Sequence, residues 1–449
     1  LLFSRKKIVR YSIATIVLGF AALLTGLSFL DGYILKSKDT AITAAVQYEN
    51  KYKTFSSTPQ PVITDVKTSI HLYPSAQSYT IEGQYIIKNK TTKPVETMLV
   101  EFEDGFSISH AKYTSTNETI AISKPLSELK LSTPLLPGDS AAIDFTISYQ
   151  WKTINGHHPF NAIIENGSFM RISRFYPRIG YQKENELADE TERKKNGLGK
   201  QTPIKKLEDS TRAVADFVNL DMVISTDEGQ TAVGTGTLIK QWKEGKRNYF
   251  QYSPKQPVPF RFAVSSARYE IKQAIHNGIA ISVMYHPSHS ENVQHLIQNA
   301  KLTLDYCIQN FGAYPFPSVT FAEVSSFTSG FAATAYPGTI FMTEQMVFHA
   351  NIKADKQQDV INELAGHELS HLWWSGNQIV PDDREGAAML TETLAMYTEM
   401  MLYKKMYGIE KMKERIKMHQ QIYDAEKGFS ENEPLYKVKD GSTHISYSK

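Results

Sequence analysis

The sequence predicts an α+β protein with an N-terminal transmembrane helix, a β-rich domain and a mainly helical C-terminal domain. Three patterns support this prediction. Residues 11–30 contain no charged side chain, residues 79–87 and 143–151 alternate apolar and polar side chains, and after about residue 269 the apolar side chains recur at helical spacing. A chain of 449 residues is long enough for two or three folded units.

The composition excludes several classes of protein. Hydrophobic residues make up 41% of the chain and charged residues 21%, which is the balance of an ordinary globular protein. The formal net charge is only +2 and the basic residues are spread along the chain, so we expect no nucleic acid among its partners. Cys307 is the only cysteine, which excludes an intrachain disulfide and a cysteine-based zinc site.

Residues 1–35 are predicted to anchor the chain in a membrane. Tyr11–Leu30 is apolar and twenty residues long, and about twenty helical residues cross the hydrocarbon core of a bilayer. Four basic residues precede this run, at positions 5, 6, 7 and 10, which predicts that the N-terminal side is cytoplasmic. A secretory signal peptide is the alternative, but the run is long for one. We therefore predict a cell-membrane location, with the domains that follow outside the cytoplasm.

The β domain is predicted at residues 63–266, after a linker at residues 36–62. Short alternating segments separated by turns rich in Pro and Gly are typical of a sandwich or a saddle-like sheet. Within this domain, the charged run 183–200 is interpreted as a solvated surface loop. The chain begins at Leu1 and stops abruptly at Lys449, so we expect it to be a piece of a longer protein.

The second domain is predicted at residues 267–449. Val293, Ile297 and Leu304 lie at helical spacing, and prolines close the segment after them. A second helix is predicted at residues 362–374, which read NELAGHELSHLWW.

This second helix carries a pair of histidines, His367 and His371, four residues apart. That spacing stacks both imidazoles on one helix face, where they can bind one Zn²⁺, while the neighbouring Glu368 reaches the open coordination position. A carboxylate beside such an ion can take the proton of the bound water and later deliver it to the leaving amine. Glu368 is therefore the predicted general base of a hydrolase.

A third zinc ligand is predicted at Glu392. It lies in a further helix-like segment, residues 389–397, which a breaker run at residues 380–383 separates from the first helix. Two histidines and one glutamate leave a fourth position for water. The alternative is a buried helix whose histidines are satisfied by hydrogen bonds, with Glu392 as a surface charge.

These residues carry a resemblance to a known family. The segments HELSHLWWSGN (367–377) and TETLAMY (391–397) resemble the aminopeptidase N type of gluzincin zinc peptidases, and the similarity extends upstream through NFGAYPFP (310–317) and FRFAVS (260–265). The resemblance implies a saddle-like β domain packed on a thermolysin-like catalytic domain, one zinc ion held by His367, His371 and Glu392, and a peptide substrate. It also implies a tyrosine that stabilises the oxyanion, for which Tyr447 in the terminal Tyr447-Ser448-Lys449 is the candidate.

The chain departs from the family pattern in two places. Twenty residues separate His371 from Glu392, where the family usually has eighteen, so we expect a remodelled loop. The family motif G-x-M-E-N falls on residues 332–336, AATAY, which contain no carboxylate. In aminopeptidases the glutamate of that motif binds the free amine of the substrate, so the sequence predicts a peptidase without the usual anchor for an N-terminus.

Two further expectations follow from this set of motifs. RISRFYPRIGY (171–181) and MLTETL (389–394) look like a bacterial subgroup in which the peptidase is fused to an ABC-type permease, which implies an ABC transporter ATPase subunit as a partner. The alternative to a membrane-tethered zinc peptidase is a non-catalytic, zinc-containing extracytoplasmic domain that binds a peptide or a partner for a transporter permease. The intact Glu368 favours the peptidase, because a binding module needs no carboxylate beside an open metal position.

Overall fold

The chain folds as the predicted α+β protein, with an apolar helix, a β-rich domain and a mainly helical domain in sequence order. The computed structural model describes residues 5–30, 37–151, 160–209, 217–328, 331–352, 359–376, 379–382, 384–426 and 434–437.

Helix α1, Arg5–Leu30, contains the apolar run. Among the described residues it is the one helix that is long and apolar enough to cross a membrane, over Val9–Leu27, and none of that stretch is buried in the protein. A signal sequence near an N-terminus meets the same criterion.

Residues 36–62, predicted as a linker, contain a helix that packs on the β domain. Helix α2, Lys38–Tyr52, begins after Ser37, whose side chain accepts a hydrogen bond from the amide of Thr40. A 3₁₀ turn, Lys53–Ser56, continues it. Tyr48 and Tyr52 are buried in a small cluster with Leu99 of the β domain. The aromatic side chains of the segment therefore fix it to the domain that follows.

A buried ion pair reinforces this contact. Glu49 of α2 and Arg193 are each 3% exposed, and two hydrogen bonds of 2.7 and 2.8 Å join the guanidinium to the carboxylate. Arg193 lies in the charged run predicted as a solvated loop, which instead contains helix α3, Glu190–Lys195. The arginine turns inward because Glu49 and the carbonyl oxygens of Leu187 and Gly199 satisfy its donors.

The described strands of the β domain are β1 Val62–Tyr73, β2 Ser78–Lys88, β3 Val95–Glu101, β4 Ser107–Thr114, β5 Thr119–Ala121, β6 Leu126–Leu135, β7 Ser140–Gln150, β8 Asn161–Ala162, β9 Ser168–Met170, β10 Arg178–Ile179, β11 Phe217–Asp227, β12 Thr231–Gly234, β13 Thr237–Glu244, β14 Arg247–Ser253, β15 Val258–Pro259 and β16 Val264–Ala267. The largest sheet has the order β13-β14-β11-β1-β2-β7-β4-β5, with β15 paired to β11. All its pairs are antiparallel except that of β1 with β11. Two smaller sheets, β10-β3-β6 and β12-β16-β9-β8, complete the domain.

The predicted alternation in this domain corresponds to burial. Tyr79, Ile81 and Tyr85 of β2 face Tyr149, Ile147 and Ile143 of β7 across the sheet, and all six are buried. One face of the sheet thus forms the main core, as the period of two requires.

In the part of the chain that the structure describes, the second domain combines a five-stranded sheet with four α-helices. The sheet has the order β17-β18-β19-β21-β20, with β17 and β20 as antiparallel edge strands. Its elements are β17 Glu270–His276, β18 Ile279–Tyr285, α4 Val293–Phe311, β19 Ser318–Val324, β20 Ala333–Tyr336, β21 Thr339–Thr343, α5 Val360–Ser370, α6 Leu394–Tyr407 and α7 Ile409–Glu426. A buried cluster joins the two domains, with Phe169, Val233 and Ala263 from the first against Tyr336 and Phe341 from the second.

Candidate active site

Helix α5 carries the two histidines of the predicted metal site. Its N-cap is Asp359, whose carboxylate accepts a hydrogen bond of 3.0 Å from the amide of Asn362. Ile361 and Leu369 are buried in the core of the second domain. At Gly366 a Cβ atom would lie 2.8 Å from Leu402 of α6, so the glycine lets α6 approach closely. Helix α5 is therefore held between the core and α6, the helix that directly follows the third predicted ligand.

The structure brings His367, His371 and Glu392 together. The rings of the two histidines are 4.7 Å apart with their planes at 84°. The Oε2 atom of Glu392 lies 3.3 Å from Nε2 of His367 and 3.7 Å from Nε2 of His371. Three side chains from two helices thus direct their donor atoms at one point.

This arrangement fits a zinc ion. Ligand atoms about 2.0–2.1 Å from zinc at tetrahedral angles are roughly 3.4 Å apart, which matches the two distances to Glu392. The other ring nitrogens already have partners: Nδ1 of His367 lies 3.5 Å from Glu399, and Nδ1 of His371 is 3.1 Å from the carbonyl oxygen of Trp374. Such contacts orient a histidine ligand and leave the lone pair on Nε2.

The charges in the site favour a cation at this point. Burial alone would raise the pKa of Glu392, but the hydrogen bond with His367 and the positive charges of His367 and Arg261 outweigh it and lower that pKa. Burial and the nearby His367 lower the pKa of His371 to about 4, which keeps its imidazole neutral. For His367, bonds to Glu392 and Glu399 overcome burial and raise the pKa to about 10. The two carboxylates thus stabilise one positive charge, which a metal ion would supply in place of the proton.

Glu368 lies next to this point. One donor atom each of His367, Glu368 and His371 lie within 4.8 Å of one another. Burial raises the pKa of the Glu368 carboxyl to about 7, and Glu392 adds to this effect, whereas His367, Arg261 and the amide of Ala335 oppose it. A carboxyl group whose pKa lies near neutrality can both accept and return a proton.

A π-helical turn, Met389–Thr393, contains Glu392. Its hydrogen bonds span five residues instead of four, so the turn takes up one residue more than an α-helical turn. Part of the remodelling expected from the two extra residues between His371 and Glu392 therefore lies in the turn that contains Glu392. The loop after α5 is also tight: Ser375 has a positive φ of 95°, and a Cβ atom on Gly376 would lie 2.6 Å from the carbonyl oxygen of His371.

Two arginines of the β domain contact β20, the strand on which the glutamate position of the family motif falls. Nη2 of Arg171 and Nη2 of Arg261 lie 3.3 and 3.2 Å from Oγ1 of Thr334, and Nε of Arg171 donates to the hydroxyl of Tyr336 at 2.7 Å. The charge of Arg261 acts on Glu368, His371 and Glu392. Arg261 therefore places a positive charge near the predicted zinc ligands and Glu368.

Sequence reasoning did not identify Glu399 or these arginines as parts of the site. Glu399 lies seven residues after Glu392, two helical turns along the same face, so helix periodicity could have found it. Arg261 and Arg171 lie in segments that carried the family resemblance, but no spacing along the chain indicates that they reach β20. Tyr447, the predicted oxyanion donor, lies outside the described residues.

The N-cap of α5 connects three helices and gives a pH-dependent prediction. The carboxylate of Asp359 bonds Nε2 of His295 on α4 at 2.7 Å and the hydroxyl of Tyr407 on α6. Burial would raise the pKa of Asp359, but these bonds lower it, and the bond to Asp359 raises the pKa of His295. The stability that Asp359 contributes to the folded state is fully present above the pKa of an unfolded aspartate, about 3.9. The stability that His295 contributes is fully present below the pKa of an unfolded histidine, about 6.5. The pair therefore stabilises most between about pH 4 and 6.5.

We expect Asp359→Ala to destabilise the protein by more than the roughly 0.5–2 kcal/mol typical of a lost N-cap, because the variant also loses the ion pair with His295. The difference in melting temperature from wild type should be largest between about pH 4 and 6.5 and shrink as the pH rises through the raised pKa of His295. Asp189→Ala is the matched control, because Asp189 caps α3 through the amides of Thr191 and Glu192 without a histidine partner. Equal pH profiles for the two variants would contradict the predicted coupling.

The site has the form of a metal centre in which two histidines of one helix, His367 and His371, and a glutamate of the next helical segment, Glu392, are the ligands. Residues 296–446, which include His367, Glu368, His371 and Glu392, match the family model described as the peptidase family M1 domain. A search of curated proteins gives no match.

Solved structures of M1 zinc metallopeptidases share the fold. The M1 zinc metallopeptidase from Deinococcus radiodurans is 13% identical with a TM-score of 0.54, over 84% of this chain and 77% of that one. A mutant bound to a Tyr-Ser-Ala substrate is 14% identical with a TM-score of 0.52 over the same shares. A two-domain mutant bound to L-arginine is 13% identical with a TM-score of 0.52, over 82% and 75%. The fold is thus that of M1 zinc metallopeptidases, which agrees with zinc as the predicted cofactor.

Proposed function

We propose that the chain is a zinc-dependent peptidase that hydrolyses peptide bonds. The observation that carries this proposal is the convergence of His367, His371 and Glu392 at distances suited to tetrahedral zinc, with Glu368 beside them. The match to the peptidase family M1 domain supports it.

In this mechanism the residues of the chain have separate tasks. Zinc, when bound, polarises the substrate carbonyl and lowers the pKa of water. Glu368 removes a proton from the attacking water and returns it to the leaving amine, so that water and an amide become a carboxylic acid and an amine. Glu399 and the carbonyl oxygen of Trp374 hold the two imidazoles in position. Tyr447 is the proposed donor to the oxyanion.

The direct test is hydrolysis of an internally quenched peptide library by the purified chain. We expect turnover that is lost on dialysis against a chelator and restored by one equivalent of Zn²⁺ at the site. A chain that binds zinc but cleaves no peptide with either a free or a blocked N-terminus would favour the non-catalytic binding domain instead.

We also propose that substrate selection differs from that of an aminopeptidase. Ala335 provides no carboxylate for a substrate amine, and Arg171 and Arg261 place positive charge at the same strand. A free ammonium group would be repelled there, whereas a carboxylate would be attracted. The proposed substrate is a peptide that carries an anionic group on the N-terminal side of the cleaved bond.

Arg261→Gln is expected to lower kcat/KM for a peptide with an N-succinyl group about 10- to 100-fold, because a hydrogen bond to a charged group contributes about 1.5–3 kcal/mol. The same peptide with an N-acetyl group should change little, so the ratio of the two rates is the measurement. Arg268→Gln is the control, since Arg268 is an exposed arginine paired with Glu165. A wild-type enzyme that prefers free N-termini would overturn this proposal.

We further propose that α1 anchors the protein in a membrane with the catalytic domain outside the cytoplasm. The apolar stretch Val9–Leu27 and the basic residues before it support this topology. Linkage to an ABC-type permease and its ATPase subunit stays a prediction from the motif resemblance. Protease protection of the chain in sealed membrane vesicles tests the topology, and copurification of an ATPase from the native membrane tests the partner.

A further inference from the structure

A second group of metal-binding side chains lies outside the candidate active site. One donor atom each of His289, Glu344 and His349 lie within 4.8 Å of one another. His289 is in the loop between β18 and α4, whereas Glu344 and His349 bound a π-helical turn, Glu344–Phe348, that follows β21. The amide of His349 donates to the carbonyl oxygen of Glu344 at 2.9 Å, which closes this turn and sets the two residues one above the other.

The histidine from the loop is oriented by a buried carboxylate. Nδ1 of His289 lies 2.5 Å from Oε1 of Glu323, which is 4% exposed. The second oxygen of Glu323 accepts a hydrogen bond of 2.7 Å from the amide of His286. Because a carboxylate can only accept, Nδ1 of His289 carries the proton and its Nε2 carries the lone pair. A carboxylate behind a histidine is the usual outer contact of a histidine metal ligand.

The glutamate is held in a similar way. Oε1 of Glu344 accepts hydrogen bonds from the amide and the hydroxyl of Ser326, at 2.8 and 2.5 Å. These contacts occupy one carboxylate oxygen and leave Oε2 for another partner. The rings of His289 and His349 lie 4.0 Å apart. Two imidazoles and a carboxylate are thus arranged around one small volume, and two of the three are fixed by contacts that do not use their remaining donor atoms.

We infer that His289, Glu344 and His349 form a second metal site, which takes a divalent ion of the zinc class. Two nitrogen ligands and one oxygen ligand suit Zn²⁺, and leave one position for water. His349 is exposed, so an ion can enter from solvent. The ion would join the loop before α4 to the turn after β21, two segments that Asn292 already connects through the carbonyl oxygens of Val347 and Ala350. The expected role is to stabilise this junction.

The experiment separates this site from the candidate active site by removing the ligands of the latter. We expect the full chain with His367→Ala and His371→Ala to retain one Zn²⁺ per chain after gel filtration, measured by mass spectrometry of the metal content, and to be stabilised by added Zn²⁺ in thermal unfolding. Adding His349→Ala or Glu344→Gln should remove both the ion and the stabilisation. His110→Ala, at an exposed histidine of the β domain, should change neither.

Glu323→Gln gives a graded test that does not remove a ligand. We expect it to weaken zinc binding about 10- to 100-fold, as is typical when a carboxylate behind a histidine ligand is lost. Failure of the double variant to bind Zn²⁺, or binding that survives His349→Ala, would overturn the inference. In the otherwise wild-type chain, His349→Ala should lower the zinc content from two ions per chain to one and leave the rate of peptide hydrolysis unchanged. The outcome for this site is therefore independent of whether the proposed peptidase function holds.

Discussion

Glu368→Gln is expected to lower kcat for peptide hydrolysis by about 10²- to 10⁴-fold, the range typical of a lost general acid–base. Glutamine has nearly the same shape, so it fills the same space beside the two histidines but cannot accept a proton. Zinc content should stay at the wild-type value because the three proposed ligands are unchanged. Measurement of kcat and of metal content on the same preparation distinguishes this result from loss of the ion.

The control for this variant is Glu410→Gln, which makes the same chemical change at an exposed position on α7. It should leave kcat within the error of the assay. A Glu368→Gln enzyme that turns over peptides as fast as wild type would exclude Glu368 as the general base.

Glu392→Gln is expected to remove the zinc ion of the candidate active site and, with it, peptidase activity. A neutral amide is a poor zinc ligand, and two histidines alone leave an incomplete site. Glu399 supplies the comparison, because it contacts Nδ1 of His367 and not the proposed ion. We expect Glu399→Gln to weaken zinc binding only about 10- to 100-fold, and Glu392→Gln to weaken it more than that.

Excess Zn²⁺ separates the two variants in the activity assay. Activity of Glu399→Gln should return when free zinc is raised above its weakened dissociation constant, whereas Glu392→Gln should stay inactive. Equal rescue of both variants would show that Glu392 is not a direct ligand.

The sequence predicts the local parts of this site well because helix geometry fixes them. A separation of four residues puts His367 and His371 on one face whatever surrounds the helix. The position of Glu392 on a neighbouring helix follows from the breaker residues between the two segments. Hydrophobic periods of 2 and 3.6 likewise separate the β domain from the helical one, since each period reflects which side chains the core buries.

Other features depend on contacts between distant segments, which no local pattern contains. The charged side chains Glu49 and Arg193 resemble solvent-exposed residues in the sequence, and they are buried only because each finds the other. Arg171 and Arg261 reach β20 because the two domains pack together over a shared core. The prediction of a linker at residues 36–62 missed α2 for the same reason.

With α1 anchored in a membrane as proposed, the docking of α2 limits how far the catalytic domain can move from that membrane. Between Leu30, the end of α1, and Ser37, the cap of α2, the chain advances by seven residues and spans at most about 25 Å. The buried ion pair then fixes α2 to the β domain. A peptidase anchored in the proposed way would meet substrates in a thin layer next to the bilayer, where its effective concentration would depend on surface density and not on volume.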